Sequence, residues 1–503
     1  MRGKKVVINT AMSLVEEIVA VICGFILPRL ILSCFGSKYN GLTTSITQFL
    51  ACAVLLRSGI GGATRAALYK PLAEKNKNEV DSIIKATDIF MKKIGLILAG
   101  GIVIFAAIYP FFVADEFDWF FTFSLFVIIG ASTFAESFFG ITYLILLQAD
   151  QRLWVSSLLR SVCYILNTTL SAVLMIWGSS IHIVKLGSAF VYVLYPILLG
   201  FYVKRKYKID KNVKPDNKAI AQRWDALWHQ VSAFIMNNSS IMILTAFTNM
   251  LEVSVYSVYN LVFNGLKRAV TSFLNGLEAA FGNMIAKKES DSLRENVSVI
   301  EFIIYAISTV IYTSACLLIL DFVRIYTGGI TDVNYIRPVF AYVIIIAQFF
   351  NGIRLPYQLV VQAAGHYKQT KKGAMIEAII NIVLSVILVF NFGLIGVAVG
   401  TLAATVFRTV QYSIYMSKHI VSRSYFITLF RCIVAFAESA AVIVIVNVLG
   451  FNSSSDYIQW IFNSIAVVGI SCVVVVIGSF VFFRKDVVRL LNKMKSIFKK
   501  KQR

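Results

Sequence analysis

The chain has 503 residues, and 48 Lys+Arg against 26 Asp+Glu give a net charge of +22, yet only 15% of the residues are charged and 58% are hydrophobic. That apolar share exceeds the roughly 45–50% of a soluble globular chain, and apolar runs of about 20 residues, enough to cross a bilayer core, recur from Met12 to Phe483. No stretch is left for a soluble catalytic domain, and the basic residues lie in short connections between apolar runs, which excludes a folded nucleic-acid-binding surface.

In chain order the apolar runs predict fourteen spans, at approximately 12–34, 41–63, 88–113, 119–147, 156–178, 181–203, 227–250, 254–286, 297–323, 337–362, 374–391, 393–417, 427–450 and 459–483. Backbone groups in lipid must bond internally, so the expected fold class is an all-α polytopic membrane protein. Arg2, Lys4 and Lys5 precede a first span that runs on to Cys34 without a small-residue cleavage pattern, so this segment reads as a helix and not a cleaved leader. In span two, Gly59–Arg65 (GIGGATR) lacks the Lys-Ser/Thr of a phosphate loop and reads as a site of close helix packing. The longest hydrophilic connection runs from Lys204 to Arg223. After Arg484, Val487, Leu490, Leu491, Met494, Ile497 and Phe498 form an apolar face among basic residues, which predicts a tail lying on an anionic leaflet.

Most Lys and Arg fall in the N-terminus, alternate connections and the tail, whereas Lys38, Lys185, Arg324 and Arg337 fall on the opposite side. The positive-inside rule therefore places both termini in the cytoplasm. Asp115, Glu116 and Asp118 mark the outer face, and Trp119, Trp154, Trp177, Trp224, Trp228 and Trp460 lie near span ends as an interfacial belt. The seven cysteines are odd in number and sit mostly inside spans, and His182, His229, His366 and His419 are scattered. Neither a disulfide framework nor a metal site is expected.

One offset recurs. Gln148-Ala149 matches Gln362-Ala363, Asn167 matches Asn381, Leu170-Ser171 matches Leu384-Ser385 and Leu174 matches Leu388, each pair 214 residues apart. Six spans separate the copies, which predicts two six-helix lobes in a parallel repeat (1–226 and 227–426), two additional helices (427–483) and a basic amphipathic tail (484–503). Two such lobes suit alternating access, and no filter-like loop suggests a channel.

Charges within spans are costly and usually face a cavity. Span eight carries Asn260, Asn264, Lys267, Thr271, Asn275 and Glu278 at three- and four-residue spacing, with Arg268 beside them. Span ten repeats the pattern with Gln348, Asn351, Arg354, Gln358 and Gln362 beside Pro356, whose missing N–H permits a kink. Both stripes are read as cavity lining. Arg29 beside Pro28, Arg57 in span two, and Arg408 with Thr401, Thr405 and Tyr412 are further basic candidates, although Arg29 and Arg57 lie close enough to span ends to snorkel. Glu136, near Ser132 and Thr133, and Glu438 are mid-span carboxyls. Glu16, Glu17, Glu301 and Glu377 lie nearer span ends and read as interfacial.

The chain resembles Wzx-type polysaccharide flippases of the multidrug/oligosaccharidyl-lipid/polysaccharide exporter superfamily. The resemblance covers nearly the whole sequence and rests on the basic N-terminus and Arg29, Tyr39-Asn40-Gly41, Arg57–Tyr69, Tyr256–Leu261 (YSVYNL), Leu359–Lys368 (LVVQAAGHYK) and Gly393–Gly400 (GLIGVAVG). It implies a V-shaped pair of lobes that flips undecaprenyl-pyrophosphate-linked oligosaccharide repeat units, with the last two helices forming a groove for the prenyl tail. Polysaccharide polymerases and glycosyltransferases are the implied partners. Related peptidoglycan-precursor flippases use arginines in the first, second and eighth spans, where Arg29, Arg57 and Arg268 stand here.

Arg29, Arg57, Lys267, Arg268, Arg354 and Arg408 are accordingly expected to hold the pyrophosphate, which guanidinium grips with paired hydrogen bonds. Asn260, Asn264, Asn275, Gln348, Asn351 and Gln358 are expected to contact sugar, and Glu136 and Glu278 are the candidates for proton or sodium coupling. No cofactor is expected, and no nucleotide-binding motif points to ATP. A lipid II or teichoic-acid-precursor flippase follows the same anion logic. A cation-coupled multidrug exporter would call for an acidic cavity, and a membrane glycosyltransferase for a large loop that is absent from the sequence.

Overall fold

Lipid offers the backbone no hydrogen-bond partner, and the described residues form helices with no strand. The computed structural model describes residues 2–210, 212–216, 227–274, 277–451 and 454–501, with the side chains of 2–6, 52–60, 62–63, 227–233, 279 and 493–501 outside that description. The helices are α1 (Arg2–Phe35), α2 (Ser37–Glu74), α3 (Lys77–Ile108), α4 (Trp119–Ala135), α5 (Ile141–Ala149), α6 (Leu153–Ile176), α7 (Ile181–Tyr207), α8 (Leu227–Phe247) and α9 (Met250–Ser272). They continue with α10 (Leu277–Ala286), α11 (Ser290–Tyr326), α12 (Pro338–Ile353), α13 (Leu355–Ala363), α14 (Tyr367–His419), α15 (Phe426–Val448), α16 (Tyr457–Phe482) and α17 (Arg484–Lys501).

Helices stand at all fourteen expected spans. Among the described residues, 10 helical segments are long and apolar enough to cross a membrane, and large apolar side chains such as Leu96, Phe111, Phe390, Phe462 and Phe480 are exposed. Water would not tolerate so much apolar surface; this is a multi-pass membrane protein. At 53 residues α14 is too long for one crossing. Gly393, at φ 51° and ψ −127°, folds it into a hairpin of two spans, a backbone geometry that favours a residue without Cβ. Across the hairpin, Asn381 Nδ2 donates to Thr401 Oγ1 at 3.2 Å.

Three expected continuous spans are interrupted. Span eight breaks after Ser272, where Leu274 N–H bonds Thr271 O and Leu277 N–H bonds Leu274 O, both three residues back. Thr271 Oγ1 and Ser272 Oγ also donate to Arg268 O and Ala269 O, competing with the main chain for the last carbonyls of α9. The polar stripe is therefore split, with Glu278 on α10. Span ten breaks at Arg354, because Pro356 in the first turn of α13 supplies no N–H. Span four contains a π-helical turn at Glu136–Gly140 between α4 and α5.

By contact the chain forms two compact units: Met1–Ser257 with Gly329–Val333, and Val258–Gly328 with Asn334–Arg503. The expected lobe boundary at 226/227 marks the sequence repeat, whereas contact groups α8 and the start of α9 with the first unit. In that unit α6 packs on α1 and α7, α4 on α7, and α2 on α3 and α8. In the second, α12 packs on α14, and α11 on α12, α15 and α16.

Lipid tails are as apolar as leucine, so small and polar contacts hold such helices together. Thr313 and Ser439 hydroxyls meet at 2.7 Å between α11 and α15, and Ser314 and Ser471 at 3.2 Å between α11 and α16. A hydrogen bond of this kind contributes about 0.6 kcal/mol on average.

Candidate functional site

In the second unit the α12–α13 break directs Arg354 toward the first arm of α14. Arg354 Nη1 donates to Glu377 Oε1 at 2.5 Å and Nη2 to Asn351 Oδ1 at 2.5 Å, while Asn351 Nδ2 donates to Gln348 Oε1 at 3.3 Å. The other Glu377 oxygen lies 3.3 Å from Arg408 Nε. Arg408 is buried; its Nη1 donates to Thr370 O and Gln411 Oε1, and its Nη2 to Tyr412 Oη, whose ring lies 3.9 Å below the guanidinium. Lys267 on α9 is within electrostatic range of Arg354. Glu278 on α10 is hydrogen-bonded by Tyr367.

The structure thus brings Lys267, Arg354 and Arg408 into one cluster with Gln348 and Asn351, around a carboxylate that the sequence reading placed at the interface. Glu377 is buried at 5% exposure. Arg408 is fully engaged and acts on its neighbours. Of the remaining predicted residues, Asn260 and Gln358 are half-buried and Asn264, Arg268 and Glu278 exposed in this unit, and Arg29 is half-buried on α1 of the first. The side chain of Arg57, and Asn275 altogether, lie outside the described residues.

The second unit also contains a network that sequence reasoning missed. Glu301 on α11, fully buried, receives Arg423 Nη1 at 2.6 Å and Arg431 Nη1 at 2.7 Å. Tyr357 Oη donates to it at 2.5 Å, and Arg431 continues to Asp486 at 2.7 Å, joining α11, α13, α15 and α17. Glu301 is therefore the centre of a buried ion-pair network.

The first unit holds a polar chamber around Glu136. One compartment, about 400 Å³, is lined by Ser132, Thr133, Glu136, Arg160, Tyr164 and Tyr195 among others. A second, about 440 Å³, shares Ser132, Thr133, Glu136 and Tyr192 with the first and adds Thr47, Asn167, Lys185 and Ser188. Glu136 accepts from Arg160 Nη2 at 3.1 Å, and the Arg160 guanidinium lies 5.1 Å from the Tyr195 ring centroid.

Lys185, counted on the side opposite the termini, stands in the second turn of α7 and lines the chamber. Two stripes at helical spacing carried the signal: Arg160, Tyr164, Asn167 and Ser171 on α6, and Lys185, Ser188, Tyr192 and Tyr195 on α7. Among the described residues no cluster suited to a metal ion occurs.

No family model and no curated protein matches the sequence. Solved structures do match. A lipid II flippase, MurJ, in an inward closed conformation superposes with a TM-score of 0.72 at 15% identity, over 95% of this chain and 100% of that one. An inward-facing multidrug resistance MATE family transporter of the MOP superfamily gives 0.56 at 13% identity, over 82% and 98%. The Vibrio cholerae MATE transporter VcmN gives 0.53 at 14% identity, over 84% and 100%. The chain has the fold that these transporters share.

Proposed function

We propose that this protein is a flippase for polyprenyl-pyrophosphate-linked oligosaccharides, moving repeat units of a cell-surface polysaccharide from the cytoplasmic to the outer leaflet by alternating access. The observation that carries the reading is the extent of the fold. The superposition with the lipid II flippase takes in 95% of the chain, whereas those with the multidrug transporters take in 82–84%. A lipid-linked substrate needs a place for its tail, and α15 and α16 are the helices in excess of a six-plus-six repeat.

The charge supports the same class. Lys267, Arg354 and Arg408 gather around one carboxylate, Glu377, a basic cluster that favours a diphosphate over a cationic drug. In this reading Asn351 and Gln348 contact sugar beside Arg354, Arg408 holds Glu377 in place, Glu136 and Glu278 are the ion-coupling candidates, and both termini face the cytoplasm.

The test is mass spectrometry of lipid-linked saccharides after depletion of the protein in its host, joined to a leaflet-access assay. Accumulation of one undecaprenyl-linked oligosaccharide on the inner leaflet is expected. Accumulation of lipid II instead would move the substrate to the peptidoglycan precursor, the reading favoured by the fold shared with MurJ. No accumulation, with increased sensitivity to cationic drugs, would overturn both. Lys267→Ala or Arg268→Ala should abolish export at normal membrane abundance; unchanged export would remove these residues from the site.

A further inference from the structure

The chamber in the first unit contains two polar groups whose bonding capacity is left over. Asn167 is 2% exposed; its Nδ2 donates to Tyr192 Oη at 3.3 Å, but its Oδ1 has no hydrogen-bond partner. Among the described residues nothing forms a hydrogen bond or ion pair with Lys185, and Glu136, the carboxylate lining the same space, is engaged by Arg160. A buried acceptor without a donor is costly, and so is an ammonium within a membrane helix without a counter-charge. One occupant relieves both if it carries an anion for Lys185 and a hydroxyl for Asn167.

The rest of the wall sharpens the class. Thr47, Ser132, Thr133, Ser188 and Tyr192 add five hydroxyls to one compartment of about 440 Å³, within the roughly 300–1,000 Å³ of small-ligand sites. Hydroxyls can each donate and accept, as a polyol requires. A bare inorganic anion would satisfy Lys185 and leave Asn167 Oδ1 unpaired, and a cation would be repelled by Lys185 while finding Glu136 already neutralised.

We propose that the first unit binds an acidic sugar in this chamber, with the carboxylate on Lys185 and a ring hydroxyl donating to Asn167 Oδ1. This rests on the flippase reading and deepens it: the transported saccharide carries an anionic residue, and Lys185 selects for it.

The test uses the purified full-length protein in nanodiscs and saturation-transfer NMR, with glucuronate, glucose and acetate as probes. Glucuronate should bind in the millimolar range, at least about tenfold more tightly than glucose or acetate. Lys185→Met should reduce glucuronate to the level of glucose, whereas Lys185→Arg should stay within about threefold of the native protein. Melting temperatures serve as the folding control.

Equal binding of glucuronate and glucose by the native protein, which depends on no variant, would overturn the assignment. So would undiminished binding by a folded Lys185→Met protein, or acetate competing as well as glucuronate. The depletion experiment is independent of these readouts, so a failed flippase reading and a failed sugar site are distinguishable.

Discussion

Two carboxylates in the second unit each answer two guanidiniums: Glu377 holds Arg354 and Arg408, and Glu301 holds Arg423 and Arg431. Removing Glu301 leaves the buried Arg423 without its counter-charge and Arg431 with Asp486 alone, a change of the kind that costs about 3–5 kcal/mol. Glu301→Ala should therefore destabilise the folded protein by about that amount in detergent, read as a lowered denaturation midpoint. A loss below about 1 kcal/mol would mean that solvent or Asp486 replaces the carboxylate. The arginines were legible as candidates because a charge inside an apolar run is conspicuous. Their partners were not: Arg423 lies 122 residues from Glu301, and a carboxylate near a span end looks interfacial until the fold brings its partner to it. The chamber role of Lys185 was hidden as well, since proximity to a helix start says nothing about which side of the helix a chamber occupies.

The elements were legible in number and kind, since apolar length dictates helix wherever water is absent, but the interruptions were only half visible. Pro356 announced a kink, and the break falls at Arg354. The π-helical turn at Glu136–Gly140 had no such marker, yet Gly140 and Arg354 are 214 residues apart, the repeat offset. Both copies thus interrupt their fourth span at the same place, beside a salt-bridged charged residue: Glu136 with Arg160 in one, Arg354 with Glu377 in the other. The repeated asparagines behave alike too, Asn167 donating to Tyr192 and Asn381 to Thr401, each on the following helical segment.

Gly393 is the element-scale feature most exposed to test. A side chain at φ 51°, ψ −127° strains the backbone by about 1–3 kcal/mol, and a Cβ at Gly396 or Gly400 would run into Leu388 or Ser385 across the hairpin. Gly393→Ala should lower thermal stability modestly, and Gly400→Leu should abolish the monodisperse peak in fluorescence-detected size exclusion. A normal peak for Gly400→Leu would show that the two arms can separate without loss of the fold.

At the scale of the whole molecule, the repeat predicts where motion is needed. Asn40 on α2 and Ser254 on α9 are 214 residues apart, and Asn40 Nδ2 donates to Ser254 Oγ at 2.8 Å and to Ser257 Oγ at 2.9 Å, all within the first unit. Around this point the face expected to be outermost is tied by Ser45 to Thr245 at 2.6 Å, by Met250 N–H to Glu116 at 2.7 Å and by Ser37 to Asp332 at 2.6 Å. A Cβ at Gly41 would clash with the Met250 backbone, so the helices approach as closely as a glycine permits.

On the proposed flippase reading, a substrate leaves on that side only if these contacts part. Asn40→Cys with Ser254→Cys, in a background lacking the seven native cysteines and bridged by a short thiol-reactive crosslinker, should reduce export by more than about tenfold. Reductive cleavage of the bridge should restore it. Either single cysteine treated with the same reagent controls for modification alone. Full export by the bridged protein would mean that α2 and α9 stay joined throughout the cycle, and the exit path would then have to open elsewhere.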